Sequence, residues 1–156
     1  EVGKGTTFKI YLPRVEGEAA RPRESDLPME LLEGSETVLL VEDEKIVRNL
    51  GVRILAGLGY RVMHTGNGDE AIELAREHGE RIDLLLTDVV MPGMSGRELA
   101  NRLTRIHPEA RVLFTSGYTD NAIVHHGVLD EGVSFIGKPY SPSALARKVR
   151  EVLDKA

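Results

Sequence analysis

Residues 83–96 read Asp83-Leu84-Leu85-Leu86-Thr87-Asp88-Val89-Val90-Met91-Pro92-Gly93-Met94-Ser95-Gly96. Asp83–Thr87 is a short, nearly unbroken apolar run, the pattern of a strand covered on both faces. Pro92 and Gly93 mark a turn. Ser95 is a helix cap, because its hydroxyl accepts from a backbone N–H that the helix leaves orphaned. Leu99, Leu103 and Ile106 then recur at helical spacing. A buried strand that feeds a helix through a tight turn is the repeating unit of an α/β sheet.

The same unit recurs on both sides. Thr37–Val41 is a second continuous apolar run, followed by Val47, Leu50, Gly51, Ile54 and Leu58 at helical spacing, with Gly59 where the helix stops. Tyr60–His64 predicts a weaker, alternating strand, and Asp69–Arg76 a helix ending near Gly79. Arg111–Thr115 and Val133–Ile136 predict two more strands, with a short helix around Asp120–His126 between them. Ser141-Pro142 opens a last helix carrying Leu145, Val149, Val152 and Leu153, with Pro142 in the first turn. Five strands alternating with five helices imply a parallel sheet with right-handed crossovers and helices on both faces.

The bulk numbers agree with a folded domain and exclude several functions. The chain has 156 residues, 41% of them hydrophobic, enough for one domain with a real core plus some extra. Cysteine is absent, which excludes disulfides, thiol catalysis and cysteine-ligated zinc and fits a reducing cytoplasm. Net charge is −5, aromatics are 4% and no basic stripe is present, so a nucleic-acid partner is disfavoured. No apolar run is long enough to span a membrane. The chain starts without Met and with no signal peptide, so it is expected to be an excised piece of something longer. Residues 15–35 are charged, proline-punctuated and without period, and read as a flexible linker. Before them, Phe8, Ile10 and Leu12 alternate as in a half-buried strand that needs a partner.

In such sheets ligands bind beyond the carboxyl ends of the strands, at the switch point. Here those ends carry Glu42-Asp43-Glu44, Asp88, Thr115-Ser116 and Gly137-Lys138-Pro139. Glu42, Asp43 and Asp88 would form a carboxylate cluster whose mutual repulsion a hard divalent cation relieves. Mg²⁺ suits it, being an oxygen-seeking ion that sits beside one or two carboxylates plus phosphate oxygens. Lys138 adds an ammonium and Thr115 a hydroxyl donor. Phosphoryl transfer needs mainly this positioning and charge neutralisation, with a carboxylate as nucleophile.

Val41-Glu42-Asp43-Glu44, Leu86-Thr87-Asp88-Val89-Val90-Met91-Pro92-Gly93-Met94-Ser95-Gly96, Leu113-Phe114-Thr115-Ser116-Gly117-Tyr118 and Gly137-Lys138-Pro139-Tyr140, in that order, resemble the response-regulator receiver family over roughly residues 36–154. The resemblance implies a flavodoxin-like (βα)5 fold with sheet order 2-1-3-4-5. It implies that Asp88 accepts a phosphoryl group from a partner's phosphohistidine. Glu42, Asp43, Asp88 and the Val90 backbone carbonyl would hold Mg²⁺. Thr115 and Lys138 would bind the phosphate, and Thr115 with Phe135, the switch aromatic, would signal. The Lys138-Pro139 peptide falls where the family often has a cis bond, and slow self-dephosphorylation is expected. Gly3-Lys4-Gly5-Thr6-Thr7-Phe8-Lys9-Ile10-Tyr11-Leu12-Pro13 resembles the last glycine box and strand of a histidine-kinase ATP-binding domain. Residues 1–14 are thus expected to be a kinase remnant that does not itself bind ATP, residues 15–35 the linker and residues 36–156 the receiver. The parent would be a hybrid histidine kinase with this segment in the cytoplasm, exchanging phosphate with its own kinase core or with a histidine phosphotransfer protein.

An alternative reading is a Mg²⁺-dependent phosphohydrolase that works through an aspartyl phosphate. Such hydrolases place a second acid two residues after the nucleophile for acid–base work, and that position is Val90 here. The pair His125-His126 points about 100° apart on a helix and forms no pincer. Gly93-Met94-Ser95-Gly96-Arg97 lacks the last glycine of a nucleophile elbow.

Overall fold

The computed structural model describes residues 3, 5, 8, 9, 11, 32–117 and 133–155. Strands β1 (Thr37–Val41), β2 (Arg61–Thr65), β3 (Leu84–Asp88), β4 (Arg111–Ser116) and β5 (Ser134–Gly137) form one parallel sheet in the order β2-β1-β3-β4-β5. This is the flavodoxin-like order expected from the sequence. Among the described residues the helices are α1 (Lys45–Gly57), α2 (Gly68–Glu77), α3 (Gly96–Ile106) and a C-terminal helix (Pro142–Asp154). The helix expected over Asp120–His126, the pair His125-His126 and most of the strand expected over Thr6–Pro13 lie outside the described residues.

Both faces of the sheet are covered, as continuous apolar strands require. Leu39, Val41 and Leu85 pack with Ala71, Ile72, Leu99 and Leu103 of α2 and α3. Val38, Leu40, Leu84 and Leu86 pack with Leu55 of α1 and Leu145 and Val149 of the C-terminal helix. Leu84, Leu85 and Leu86 are all fully buried, and truncating any one to Ala would cost roughly 2–5 kcal/mol. β3 is thereby held firmly between β1 and β4, and Asp88 is its last residue.

The helix signals act as read. Ser95 Oγ accepts from Glu98 N at 3.2 Å, and Ser141 Oγ from Ala144 N at 3.1 Å. Gly59, just past the α1 cap, takes φ +91°, a conformation that favours glycine. Three strands, β2, β3 and β5, sit one residue later than the apolar pattern suggests. Tyr60 leaves β2 to bury its ring and donate its hydroxyl to the Leu32 carbonyl at 3.1 Å. Asp83 precedes β3, with its carboxylate accepting from Thr37 N at 2.9 Å.

Among the described residues, core packing includes Leu32, ahead of residue 36. Leu32 is 2% exposed and packs in the core under Tyr60. Gly34 N donates to the Leu58 carbonyl at 3.0 Å. Arg150 of the C-terminal helix closes this pole through Glu36 at 2.7 Å and Asp154 at 2.9 Å.

Candidate functional site

The register brings the strand ends together. Val41 pairs with Thr87, and Asp88 with Thr115. The first residues after β1 therefore lie beside the end of β3, and β4 ends on its other side. Val89 N donates to the Thr115 carbonyl at 2.9 Å, and Lys138 N to the Ser116 carbonyl at 2.8 Å, so two loops are tied to the end of β4. Gly96, the first residue of α3, approaches the strand so closely that a Cβ there would lie 1.9 Å from the Asp88 carbonyl oxygen. Only glycine lets the helix start so near Asp88.

Glu42, Asp43 and Asp88 each offer a carboxylate oxygen, and these atoms lie within 4.8 Å of one another. Glu42 is 2% exposed, Asp43 is exposed and Asp88 is intermediate. The Lys138 ammonium donates to Glu42 Oε2 at 2.5 Å and to Asp88 Oδ2 at 2.7 Å. The other Asp88 oxygen, Oδ1, accepts from Val90 N at 3.3 Å. Glu42 N donates to the Thr65 carbonyl at 3.1 Å, which anchors the acidic pair to the end of β2. The Lys138-Pro139 peptide is cis.

Burial pushes the Glu42 carboxyl above its ordinary range, with the Asp88 charge adding to that and the Lys138 contact opposing it. For Lys138, burial acts to lower its pKa, but the hydrogen bonds to Asp88 and Glu42 outweigh it and hold the ammonium above its ordinary value. Tyr140 is raised as well, by burial and then by the Glu42 charge. The site is thus a carboxylate cluster with the Lys138 ammonium set against Glu42 and Asp88.

The donor set fits a hard divalent cation such as Mg²⁺: three carboxylates at one point, and no sulfur or imidazole among them. Thr115 Oγ1 is buried and has no hydrogen-bond partner among the described residues. A buried hydroxyl without a partner is costly, so its position suits a bound oxyanion.

The residues expected to form the phosphorylation, metal and switch site, Glu42, Asp43, Asp88, Val90, Thr115, Phe135 and Lys138, are all described. Glu42, Asp43, Asp88 and Lys138 are brought together, and Thr115 lies next to Asp88 in the register. Val90 is 45% exposed beside Asp88. Phe135 stands apart, half-buried on β5 opposite Phe114 and packed against the α2–α3 face of the core. The sequence reading passed over two positions. Gly96 carried a signal in the Ser95-Gly96 pair at a helix start. Arg48 donates to the carbonyls of both Glu42 and Asp43, and its signal was a basic residue one turn into the helix that follows the acidic pair. No helix among the described residues is long and apolar enough to cross a membrane.

Residues 38–150 match the family model described as the response regulator receiver domain. The sensor kinase CckA of Brucella abortus is 43% identical over 163 aligned positions, which take in 99% of this chain and 17% of that protein. The response regulator receiver protein CpdR of the same organism is 35% identical, over 74% of this chain and 95% of its own length. The crystal structure of the receiver domain from the hybrid histidine kinase CckA superposes with a TM-score of 0.64 at 36% identity, covering 76% of this chain and 99% of that one. With the sheet order and the clustered strand ends, these matches establish that the chain belongs to the response regulator receiver domain family, the receiving module of two-component phosphotransfer.

Proposed function

We propose that Asp88 is the phosphoacceptor, that Glu42, Asp43, Asp88 and the Val90 carbonyl hold Mg²⁺, and that Thr115 and Lys138 grip the transferred group. The observation that carries this reading is the Lys138 ammonium bridging Glu42 and Asp88 inside a three-carboxylate cluster. When bound, Mg²⁺ supplies charge neutralisation for the phosphoryl oxygens.

The chain's own residues do the rest. An Asp88 carboxylate oxygen attacks the phosphorus of a partner's phosphohistidine. The O–P bond forms as the P–N bond breaks, and that electron pair leaves with the imidazole nitrogen. The Lys138 ammonium and the Thr115 hydroxyl donate to phosphoryl oxygens as charge spreads over them. Lys138 gives up its contact with the Asp88 carboxylate once that group is esterified, and the orphaned Thr115 hydroxyl gains an acceptor. Phe135 pairs in register with Phe114, the neighbour of Thr115 on β4, which supports Thr115 and Phe135 as the switch pair.

The match to a sensor kinase over almost the full chain supports a hybrid histidine kinase as the parent, with residues 1–14 the end of its ATP-binding domain and residues 15–35 the connection. The chain spans 17% of that relative's length, so kinase activity, a phosphohistidine domain or histidine phosphotransfer protein as partner, and a cytoplasmic position are proposals drawn from likeness. Self-dephosphorylation would be slow, since no second acid follows Asp88 at Val90. The same absence leaves the phosphohydrolase alternative without support.

Intact mass after incubation with acetyl phosphate and Mg²⁺ tests the reading. One phosphoryl group should be gained by the wild type, and none by Asp88→Asn or in the presence of a chelator. An equal gain in Asp88→Asn would refute it.

A further inference from the structure

Arg48 lies one turn into α1, and its side chain turns back over the loop that carries the acidic pair. Nη1 donates to the Glu42 carbonyl and, at 3.2 Å, to the Asp43 carbonyl. One nitrogen thus ties two consecutive peptide groups to the start of the helix. The guanidinium also fills the gap toward the loop after β2. A Cβ on Gly66 would lie 2.7 Å from Arg48 Nη1 and 3.6 Å from the Glu42 carbonyl oxygen. The backbone at Gly66 does not take a positive φ, so glycine serves there to leave room for the guanidinium.

We propose that Arg48 is a positioning residue of the metal site, a clamp that fixes the Glu42–Asp43 backbone so that both carboxylates face Asp88. The inference rests on the reading of Glu42 and Asp43 as metal ligands. Its physical basis is that adjacent carboxylates repel, and that the ties to the Thr65 carbonyl and to Lys138 hold Glu42, whereas the exposed Asp43 is held at its backbone by Arg48. Charged donors on backbone carbonyls are the stronger kind of hydrogen bond. The guanidinium charge acts in the opposite sense, since it repels a cation, but Arg48 is partly solvated and that repulsion is screened.

The test is a Mg²⁺ titration of the full chain followed by backbone amide NMR shifts. Arg48→Ala should weaken Mg²⁺ binding about tenfold, as loss of a partner that orients metal ligands does. Fold stability should change little, because Ala is a good helix former. Arg48→Lys, which keeps the charge but cannot reproduce the planar fork, should recover part of the loss. Gly66→Ala should also weaken binding by displacing the guanidinium. Added to Arg48→Ala it should do nothing more, the signature of two changes acting through one group. Unchanged or tighter binding by Arg48→Ala, or additive effects of the two substitutions, would overturn the clamp. If the wild type itself binds no Mg²⁺, the metal reading fails and the clamp with it. If the wild type binds and all the variants match it, the clamp alone fails.

Discussion

The Lys138 ammonium donates to Glu42 Oε2 at 2.5 Å across 96 residues of sequence. This contact joins the loop after β5 to the loop after β1, and the same nitrogen reaches Asp88 at 2.7 Å. Lys138 is the internal counterion of the carboxylate cluster.

Removing that counterion leaves a nearly fully buried carboxylate without its partner. Lys138→Met should therefore lower stability by roughly 1–3 kcal/mol without divalent cation. Saturating Mg²⁺ should restore much of it, because the ion takes over the neutralisation. Chemical denaturation with and without Mg²⁺ measures both, and a loss that Mg²⁺ leaves untouched would contradict the account.

Thr115 predicts a separation of folding from function. Its hydroxyl is buried and unpartnered among the described residues, so Thr115→Val removes a polar group that contributes nothing to the fold. Stability should stay level or rise by up to about 1 kcal/mol. The rate of Asp88 phosphorylation from acetyl phosphate should fall, because a donor to the phosphoryl oxygens is lost. Thermal denaturation beside a phosphorylation time course tests the pair. A large loss of stability would mean that the hydroxyl is satisfied in the resting fold.

Gly96→Ala should damage the site through the backbone. The added Cβ would lie 1.9 Å from the Asp88 carbonyl oxygen and 2.9 Å from its carbon, so the strand end or the helix start must move. A cost of roughly 1–3 kcal/mol is expected from such overpacking, with slower phosphorylation even at saturating Mg²⁺. Denaturation and labelling kinetics on this variant give the answer, and wild-type values for both would show that the approach is looser than described.

At the opposite pole, Glu36 sets a pH dependence. Burial acts to raise its pKa, but the Arg150 hydrogen bond and charge, together with backbone N–H donors at Glu36 and Ser35, outweigh it and hold the carboxyl below 4.5. The folded state therefore binds this proton less readily than the unfolded state. The contribution is present above pH 4.5 and is lost as pH falls through the depressed value. Glu36→Gln should cost about 1 kcal/mol at neutral pH, with a difference from wild type that shrinks on acidification below pH 4.5. Melting curves across that range check the sign.

Much of this was legible in the sequence because it is local. The unbroken runs at Thr37–Val41 and Leu84–Thr87 read as doubly covered strands, and Ser95 and Ser141 cap the helices they announce. Once the alternation implied parallel strands, Glu42, Asp43, Asp88 and Lys138 had to meet at one edge. The rest depended on distant partners. Leu32 lies in a stretch whose charges and prolines look like linker, and what buries it is Tyr60 and the C-terminal helix. Arg48 is an ordinary helix-surface residue until the loop curls beneath it. Gly96 looks like a routine turn glycine until the Asp88 carbonyl comes within reach.

Phosphoryl transfer from a phosphohistidine domain in the presence of Mg²⁺, followed by borohydride reduction and peptide mass spectrometry, locates the modified residue chemically. An aspartyl phosphate at position 88 should appear there as homoserine, in Mg²⁺ only and at no other acidic residue. Label on Glu42, on Asp43 or on a histidine, with position 88 unmodified, would contradict the account.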